Sequence, residues 1–363
     1  MLSKAGKEVL LKSVVQSIPS YVMSVFLLPL NLCAELERMM NSFWWGNNDD
    51  NHRGIHWKAW DKLAVNKAVG GMSFRRIHEF NVAMLGKQGW RLLIDNSSLV
   101  AGIYKARYYS SSSFLEAQLG SNPSYIWRSV LASKQLLRSG VKWRVGMGNS
   151  VNIWSNPWLP DRLNPYVETS PMVGLEQTTV DFLKSSKGKS WDHDILEELF
   201  NQRDKELILQ IPIMYKELPD CWHWIWDNKG KYSVKSGYRV LMSTHSVQNS
   251  GLEAPYWKRT WAVEVPTKVR NFVWRACTGC LPTMVALRSR RVDVASHCPV
   301  CRNASEDTFH ALVKCYQTKQ VWRLTPVGDI SGVVHSFVDW WRQILKKQNM
   351  DVVVQVAMTL WSI

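Results

Sequence analysis

The stretch CPVCRNASEDTFHALVKC, residues 298–315, carries the pattern that decides how this part of the chain folds. Four residues of the types that bind metals stand in it with the spacing C-x2-C-x8-H-x4-C: Cys298, Cys301, His310 and Cys315. Three sulfurs and one imidazole nitrogen make the closed tetrahedral set that is typical of structural Zn²⁺. The run Ser305 to Asp307 predicts a helix that starts just before His310. We therefore expect zinc to order a segment that is too small to fold on a hydrophobic core of its own.

A second C-x2-C pair, Cys277 and Cys280, leaves another assignment open. Together with Cys298 and Cys301 it gives C-x2-C-x17-C-x2-C, which falls within the spacing of zinc ribbons. Cys277, however, falls on the apolar side of a helix predicted to begin near Thr267, and Cys280 comes just before Leu281-Pro282, where that helix should stop. We favour the set with His310. A third interpretation, buried thiols beside an unrelated His, requires four ligands to coincide by chance.

The positive charge of the chain is concentrated around this motif. The whole sequence has 45 Lys and Arg against 30 Asp and Glu, a formal net charge of +15. Residues 256–324 hold 12 Lys and Arg against four acids, a net charge of +8. Such an excess favours polyanions through counterion release, so we expect RNA or an RNA/DNA hybrid as partner. The residues expected to contact phosphates are Arg288, Arg290, Arg291, Arg302 and Lys314. The competing interpretation of this Arg run is a solvated helix face.

The hydrophobic periodicity predicts a mainly α fold with short β-hairpins, an α+β arrangement. Helices are expected at about 10–18, 32–44 and 77–94, and another follows Ser233. Alternation around Gly148-Asn149 and around Asn228-Lys229-Gly230 predicts two local hairpins, at 142–154 and 222–234. Most of the 20 Trp stand beside apolar neighbours, so we expect core packing for the majority, Trp322 included, rather than base stacking.

Composition changes along the chain suggest four parts. We expect a helical, thumb-like part at 1–109, a connector with β-hairpins at 110–242, a zinc-binding domain at 256–324 and a helical tail at 325–363. Runs rich in Ser, Gly and Pro at 110–113 and 243–255 are the expected linkers. No apolar run reaches the length of a membrane span, and no signal peptide is recognisable. We therefore expect an intracellular chain without membrane association, whose Cys are metal ligands or buried thiols.

The chain resembles the C-terminal portion of plant LINE-type (non-LTR) retrotransposon reverse transcriptases. The resemblance is carried by YSVKSGY at 232–238, by VPTKVRNFVWR at 265–275, by LPT at 281–283 and by the Cys/His motif. Upstream, FWWG at 43–46, GGMSF at 70–74 and KQGWR at 87–91 resemble the segment that follows the polymerase palm. GNSVNIW at 148–154 resembles the connecting region.

This resemblance implies that Cys298, Cys301, His310 and Cys315 bind zinc and that Cys277 and Cys280 do not. The family often has Gly after the second Cys, where this chain has Arg302, so a turn with positive φ would be strained here. The polymerase palm of the family holds a Tyr-x-Asp-Asp motif, and the adjacent pair Asp49-Asp50 lacks that context. We expect no catalytic residues and no ribonuclease H domain in this chain.

Three functions follow from these expectations. The first is a non-catalytic nucleic-acid-binding fragment with a zinc knuckle. The second is an accessory part of an RNA-directed DNA polymerase, with the palm supplied by another reverse transcriptase chain. The third is a degenerate, inactive transposon remnant. A nuclear location is implied by the resemblance alone.

Overall fold

The computed structural model describes residues 2–46, 54–95, 97–185, 188, 190–213, 218–244, 250–328 and 334–363. The chain forms two compact units. The first contains residues 1–20, 29–78 and 246–363, and the second contains residues 21–28 and 79–245. The candidate pair Asp49-Asp50 lies outside the described residues. Within the described residues, no helix is long and apolar enough to cross a membrane.

The first unit is helical. Its helices are Lys4–Leu10, continued by a π-helical turn at Leu11–Val15, then Leu30–Trp45, Trp60–Ala64, Ser250–Ala262, Thr267–Cys277, Met284–Ser289, Tyr316–Arg323, Phe337–Lys347 and Met350–Ser362. Two indoles anchor chain segments distant in sequence: Trp274 donates to the carbonyl of Gly70 at 2.9 Å, and Trp341 donates to the Thr260 hydroxyl at 3.2 Å. Thirteen of the 20 Trp of the whole chain are buried, which confirms the expected core role of the majority.

A buried carboxylate also ties the N-terminal helix into this unit. One oxygen of Glu8 accepts hydrogen bonds from Lys12 at 2.7 Å and Lys67 at 2.8 Å. Burial alone would raise the pKa of Glu8, but these two cations outweigh it and hold the pKa below its ordinary value. The negative form of Glu8 is therefore the stable one inside the folded unit.

The second unit contains most of the helix Ile77–Ile94, followed by Leu99–Tyr108, Tyr125–Leu131, Lys134–Arg138, His193–Leu199, Gln202–Leu209 and Val234–Thr244. One hydrophobic cluster surrounds Trp127, whose ring stacks on Tyr108 with centroids 4.5 Å apart. A second cluster surrounds Trp158 and Leu196. Tyr232, 1% exposed, donates its hydroxyl hydrogen bond to the carbonyl of Ala83 at 2.8 Å.

Two strands, β1 (Val141–Arg144) and β2 (Cys221–Trp224), form an antiparallel sheet in the second unit. The fold is thus mainly α with a small antiparallel sheet, as predicted. The two local hairpins predicted at 142–154 and 222–234 are wrong: β1 and β2 pair with each other, and Trp143 pairs with Trp222 across 79 positions. The Asp220 carboxylate provides the reason, because it accepts hydrogen bonds from the backbone of Gly146, Gly148 and Ser150 and wraps that loop around the start of β2.

The predicted helices at 32–44 and 77–94 are confirmed, and Ser233 caps the helix Val234–Thr244 as expected. The helix Ser250–Ala262 occupies the second half of the expected linker at 243–255. Pro255 lies inside this helix and has no N–H with which to bond the carbonyl four residues earlier. The four expected domain ranges stay a prediction. The two compact units are defined by contacts in space, and each contains residues from more than one of the four ranges.

Candidate metal centre and nucleic-acid interface

The first half of the candidate metal centre is a tight turn. The N–H of Arg302 donates to the carbonyl of Cys298 at 2.9 Å, and the N–H of Cys298 donates to the carbonyl of Ala304 at 2.8 Å. Arg302 has φ of 59°, the left-handed region that a side chain disfavours. The strain expected at this position, where the family often has Gly, is therefore present. The turn directs the Cys298 and Cys301 sulfurs to one side.

The second half of the centre is a short helix that begins as predicted, just before His310. The Asp307 carboxylate accepts a hydrogen bond from the His310 N–H at 2.6 Å and so caps the helix. A π-helical turn spans His310–Lys314, and the N–H of Cys315 donates to the His310 carbonyl at 2.8 Å. This bond joins residues five apart and brings Cys315 back over His310.

The four ligand atoms converge. All of them lie within 4.8 Å of one another, with Cys301 Sγ 3.3 Å from His310 Nε2 and Cys298 Sγ 4.0 Å from Cys315 Sγ. In a tetrahedral site with Zn–S near 2.3 Å and Zn–N near 2.0 Å, the ligand atoms are about 3.5–3.8 Å apart. The donor set and its dimensions therefore fit a structural zinc ion.

The local electrostatics differ between two of the thiols. The backbone N–H of Asn303 lowers the pKa of Cys301, which favours the thiolate that binds metal. Burial raises the pKa of Cys315. A cation at the centre would offset that penalty, since a coordinating thiol is deprotonated by the metal.

The alternative pair does not join this group among the described residues. Cys277 is buried on the helix Thr267–Cys277, and burial raises its pKa to about 12. The Cys280 sulfur is fully buried and lies 3.4 Å from the Thr278 hydroxyl. Burial raises the pKa of Cys280 as well, so both side chains behave as small core residues rather than as thiolates.

A small apolar core supports the centre from behind. Phe309, Leu312 and Val313 are buried beside the ligands, and the Trp322 indole donates to the Leu312 carbonyl at 2.8 Å. Trp322 is 2% exposed and its ring packs against Trp340. This placement confirms the core role and removes Trp322 from the candidates for base stacking.

The five cations expected to contact phosphates are all exposed: Arg288, Arg290, Arg291, Arg302 and Lys314. Within the described part of the chain, none of them forms an ion pair. Lys314 lies over the Phe309 ring at 4.8 Å. Arg290 donates to the carbonyl of Trp57 at 2.8 Å and its guanidinium lies 6.0 Å from the Trp57 ring. Sequence reasoning missed Trp57, because 233 positions separate it from Arg290.

The chain is similar to one known protein family and to two plant proteins. Residues 232–322 match the family described as zinc-binding in reverse transcriptase. An uncharacterised mitochondrial protein of Arabidopsis thaliana is 37% identical over 146 residues, which is 40% of this chain and 94% of that protein. The chain belongs to the plant non-LTR retrotransposon reverse transcriptase family. A putative ribonuclease H protein of the same plant is 26% identical over 334 residues, which is 90% of this chain. This member of the reverse transcriptase family spans 53% of that relative's length.

Proposed function

We propose that the chain is a zinc-stabilised nucleic-acid-binding part of a non-LTR reverse transcriptase, without a catalytic site of its own. The observation that carries the proposal is the convergence of three sulfurs and one imidazole nitrogen within 4.8 Å, inside the matched zinc-binding domain. Cys298, Cys301, His310 and Cys315 would hold the ion. Zinc bound there supplies structure, because four protein ligands leave no position for a reacting water.

The exposed cations beside this centre would contact the phosphates of RNA or of an RNA/cDNA hybrid. Charge-driven contacts of this kind position a nucleic acid without reading its sequence. Arg302 links the two roles, since it follows the ligand Cys301 directly and presents an exposed guanidinium. Zinc that orders the turn at Cys298–Cys301 would therefore also position one of the proposed phosphate contacts, Arg302.

The second candidate is an accessory role in RNA-directed DNA synthesis with a palm-containing reverse transcriptase chain. It is favoured by the ribonuclease H relative, which has about as much sequence outside the matched region as within it. Primer extension by a palm-containing chain, with and without this protein, tests the role. A nuclear location is proposed on family membership alone, and microscopy of the tagged chain tests it.

The main test is the zinc stoichiometry of the purified full chain by native mass spectrometry. We expect one zinc in the unmodified protein and in Cys280→Ser, and none in His310→Ala. Loss of zinc in Cys280→Ser with retention in His310→Ala would establish the ribbon arrangement instead.

The binding role is tested by the anisotropy of a labelled RNA/DNA hybrid across a range of salt concentrations. For a duplex the logarithm of the affinity falls with the logarithm of the salt concentration by about 0.9 per phosphate contact. Arg288→Ala/Arg291→Ala should therefore reduce this slope by about 1.8. An unchanged slope would remove these side chains from the interface.

A further inference from the structure

A cleft of about 590 Å³ lies in the second unit beside the strands β1 and β2. This volume is in the range of small-molecule binding sites. Four cations and three tryptophans contribute to its walls: Lys87, Arg144, Lys229 and Lys231, with Trp90, Trp143 and Trp222. None of these residues belongs to the zinc-binding region at 298–315.

The one acid in the wall of the cleft has its charge engaged by the backbone. Asp220 Oδ1 accepts from the N–H of Gly146 at 2.6 Å and of Gly148 at 2.9 Å, and Oδ2 accepts from Ser150 at 2.9 Å. Three N–H dipoles pointing at one carboxylate stabilise its negative charge in place. Asp220 is therefore a structural acid that closes the loop, and among the described residues it forms no ion pair with the cations of the cleft.

The cations of the cleft have no acidic partners within the described residues. Lys87 donates to the carbonyl of Tyr232 at 3.1 Å, which is a neutral acceptor. Arg144 is exposed and lies on the same face of the sheet as His223. Burial lowers the pKa of His223, and the charges of Lys142 and Arg144 lower it further against the opposing effect of Asp227. The local field on this wall is thus positive.

The aromatic part of the wall is a cross-strand pair. The rings of Trp143 and Trp222 lie 4.2 Å apart at an angle of 31°, and both side chains are half-buried. Trp90, which is 3% exposed, also lines the cleft. Partly exposed indoles beside cations are a combination with which proteins hold single-stranded nucleic acid, because every base has a face that can stack.

We infer that this cleft binds one nucleotide of a single RNA or DNA strand, with its base against Trp222 and Trp143 and its phosphates on Lys229 and Lys231. The site lies outside the zinc-binding domain and rests on the proposed function only in the class of ligand. A free nucleotide shares this chemistry, so the experiment separates the two sources.

The test uses the full chain and a labelled single-stranded RNA of about 12 nucleotides, within the site sizes of single-strand-binding folds. Removing two contacts by Lys229→Ala/Lys231→Ala should lower the slope of log affinity against log salt by about 1.4. The matched control Lys105→Ala/Arg128→Ala removes the same charge from exposed positions of the same unit that do not line the cleft. An equal effect of both pairs would overturn the site.

The stacking contact is tested separately. Trp222→Leu should weaken binding about tenfold, and Trp222→Phe should retain most of it, with thermal melting to confirm that both variants fold. A photoreactive uridine in the RNA should crosslink to the segment 218–231 of the unmodified chain. No crosslink there, or displacement of the RNA by an equimolar nucleoside monophosphate, would overturn the strand assignment.

Failure of this site and failure of the proposed function give different results. Binding that survives the cleft variants but is lost in Arg288→Ala/Arg291→Ala overturns the cleft and leaves the proposed function intact. Binding that is lost only in the cleft variants supports the cleft and shows that the cations of the zinc-binding domain do not contact the nucleic acid.

Discussion

Replacing Arg302 by Gly should tighten zinc binding while weakening nucleic-acid binding. Arg302 has φ of 59°, a conformation that costs an L-residue about 1–2 kcal/mol. Gly adopts it freely but loses about 0.5–1 kcal/mol more backbone entropy on folding. The difference leaves about 0.5–1 kcal/mol in favour of Gly. At 1.4 kcal/mol per factor of ten, the zinc dissociation constant should fall about two- to fivefold.

The assay is zinc competition with a chromophoric chelator, run beside anisotropy with the labelled hybrid. Arg302→Gly should lower the salt slope by about 0.9, because one phosphate contact is lost. Arg302→Gln is the matched control: it removes the same charge but keeps a side chain in the strained turn. It should lower the slope equally and leave the zinc affinity unchanged.

A second control comes from Arg291, an exposed cation with φ of 62° that lies outside the ligand turn. Arg291→Gly should relieve similar backbone strain without improving zinc binding. Equal gains in zinc affinity from the two Gly variants would refute a local origin in the Cys298–Cys301 turn. Weaker zinc binding in Arg302→Gly would refute the strain argument itself.

Three further predictions concern stability. Glu8→Gln should cost about 1.5–3 kcal/mol at pH 7, because the hydrogen bonds from Lys12 and Lys67 would no longer reach a charged acceptor. Since the pKa of Glu8 is lowered in the folded protein, its contribution is complete above the ordinary pKa and disappears as the pH falls through the folded value. Urea denaturation should therefore show the stabilities of the two proteins converging in acid. Gly71→Ala should lower the stability of the fold by about 2 kcal/mol or more, since the new Cβ would lie 1.9 Å from the Val65 carbonyl oxygen. Gly102→Ala is the control: it lies in open space on a helix and should raise the stability by about 0.8 kcal/mol. Melting temperatures that rank the two variants the other way would contradict the packing. Asp307→Ala should remove the cap of the His310 helix and destabilise that helix by about 1 kcal/mol. Zinc binding in the chelator assay should then be about fivefold weaker. An unchanged zinc affinity would mean that the helix forms without its cap.

The elements that the sequence predicted well are those specified by residues close to each other in the chain. Apolar residues at helical spacing located the helices at 32–44 and 77–94, and a Ser before the next run located the start of the helix after Ser233. The Cys and His side chains of the metal centre lie within 18 residues of the sequence, so their spacing could predict that they meet. In each case local backbone geometry determines which residues share a face.

The features that the sequence did not predict depend on distant residues. The alternation at 142–154 identified a strand, but its partner is β2, which follows Asp220, 76 positions after Arg144. Asp220 holds the two segments together through its hydrogen bonds to the loop 146–150. The same pairing places Trp143 beside Trp222 and creates the wall of the cleft. Alternation reports that a segment is extended and which face is apolar, and carries no information on which strand it will pair with.

Spacing alone also leaves one problem at the metal centre, which the fold solves in an unusual way. In an α-helix, residues five apart point about 140° away from each other, so His310 and Cys315 could not meet one ion from a regular helix. The π-helical turn His310–Lys314 closes that angle, and Cys315, with ψ of 139°, leaves the helical conformation at once. Cys315 is also the residue from which the helix Tyr316–Arg323 starts. That helix contributes Trp322 to the core behind the ligands, so metal binding and packing depend on the same break in the chain. A deletion of one residue in 311–314 would therefore disturb both, because it would remove the i→i+5 bond and rotate Trp322 away from Leu312 together.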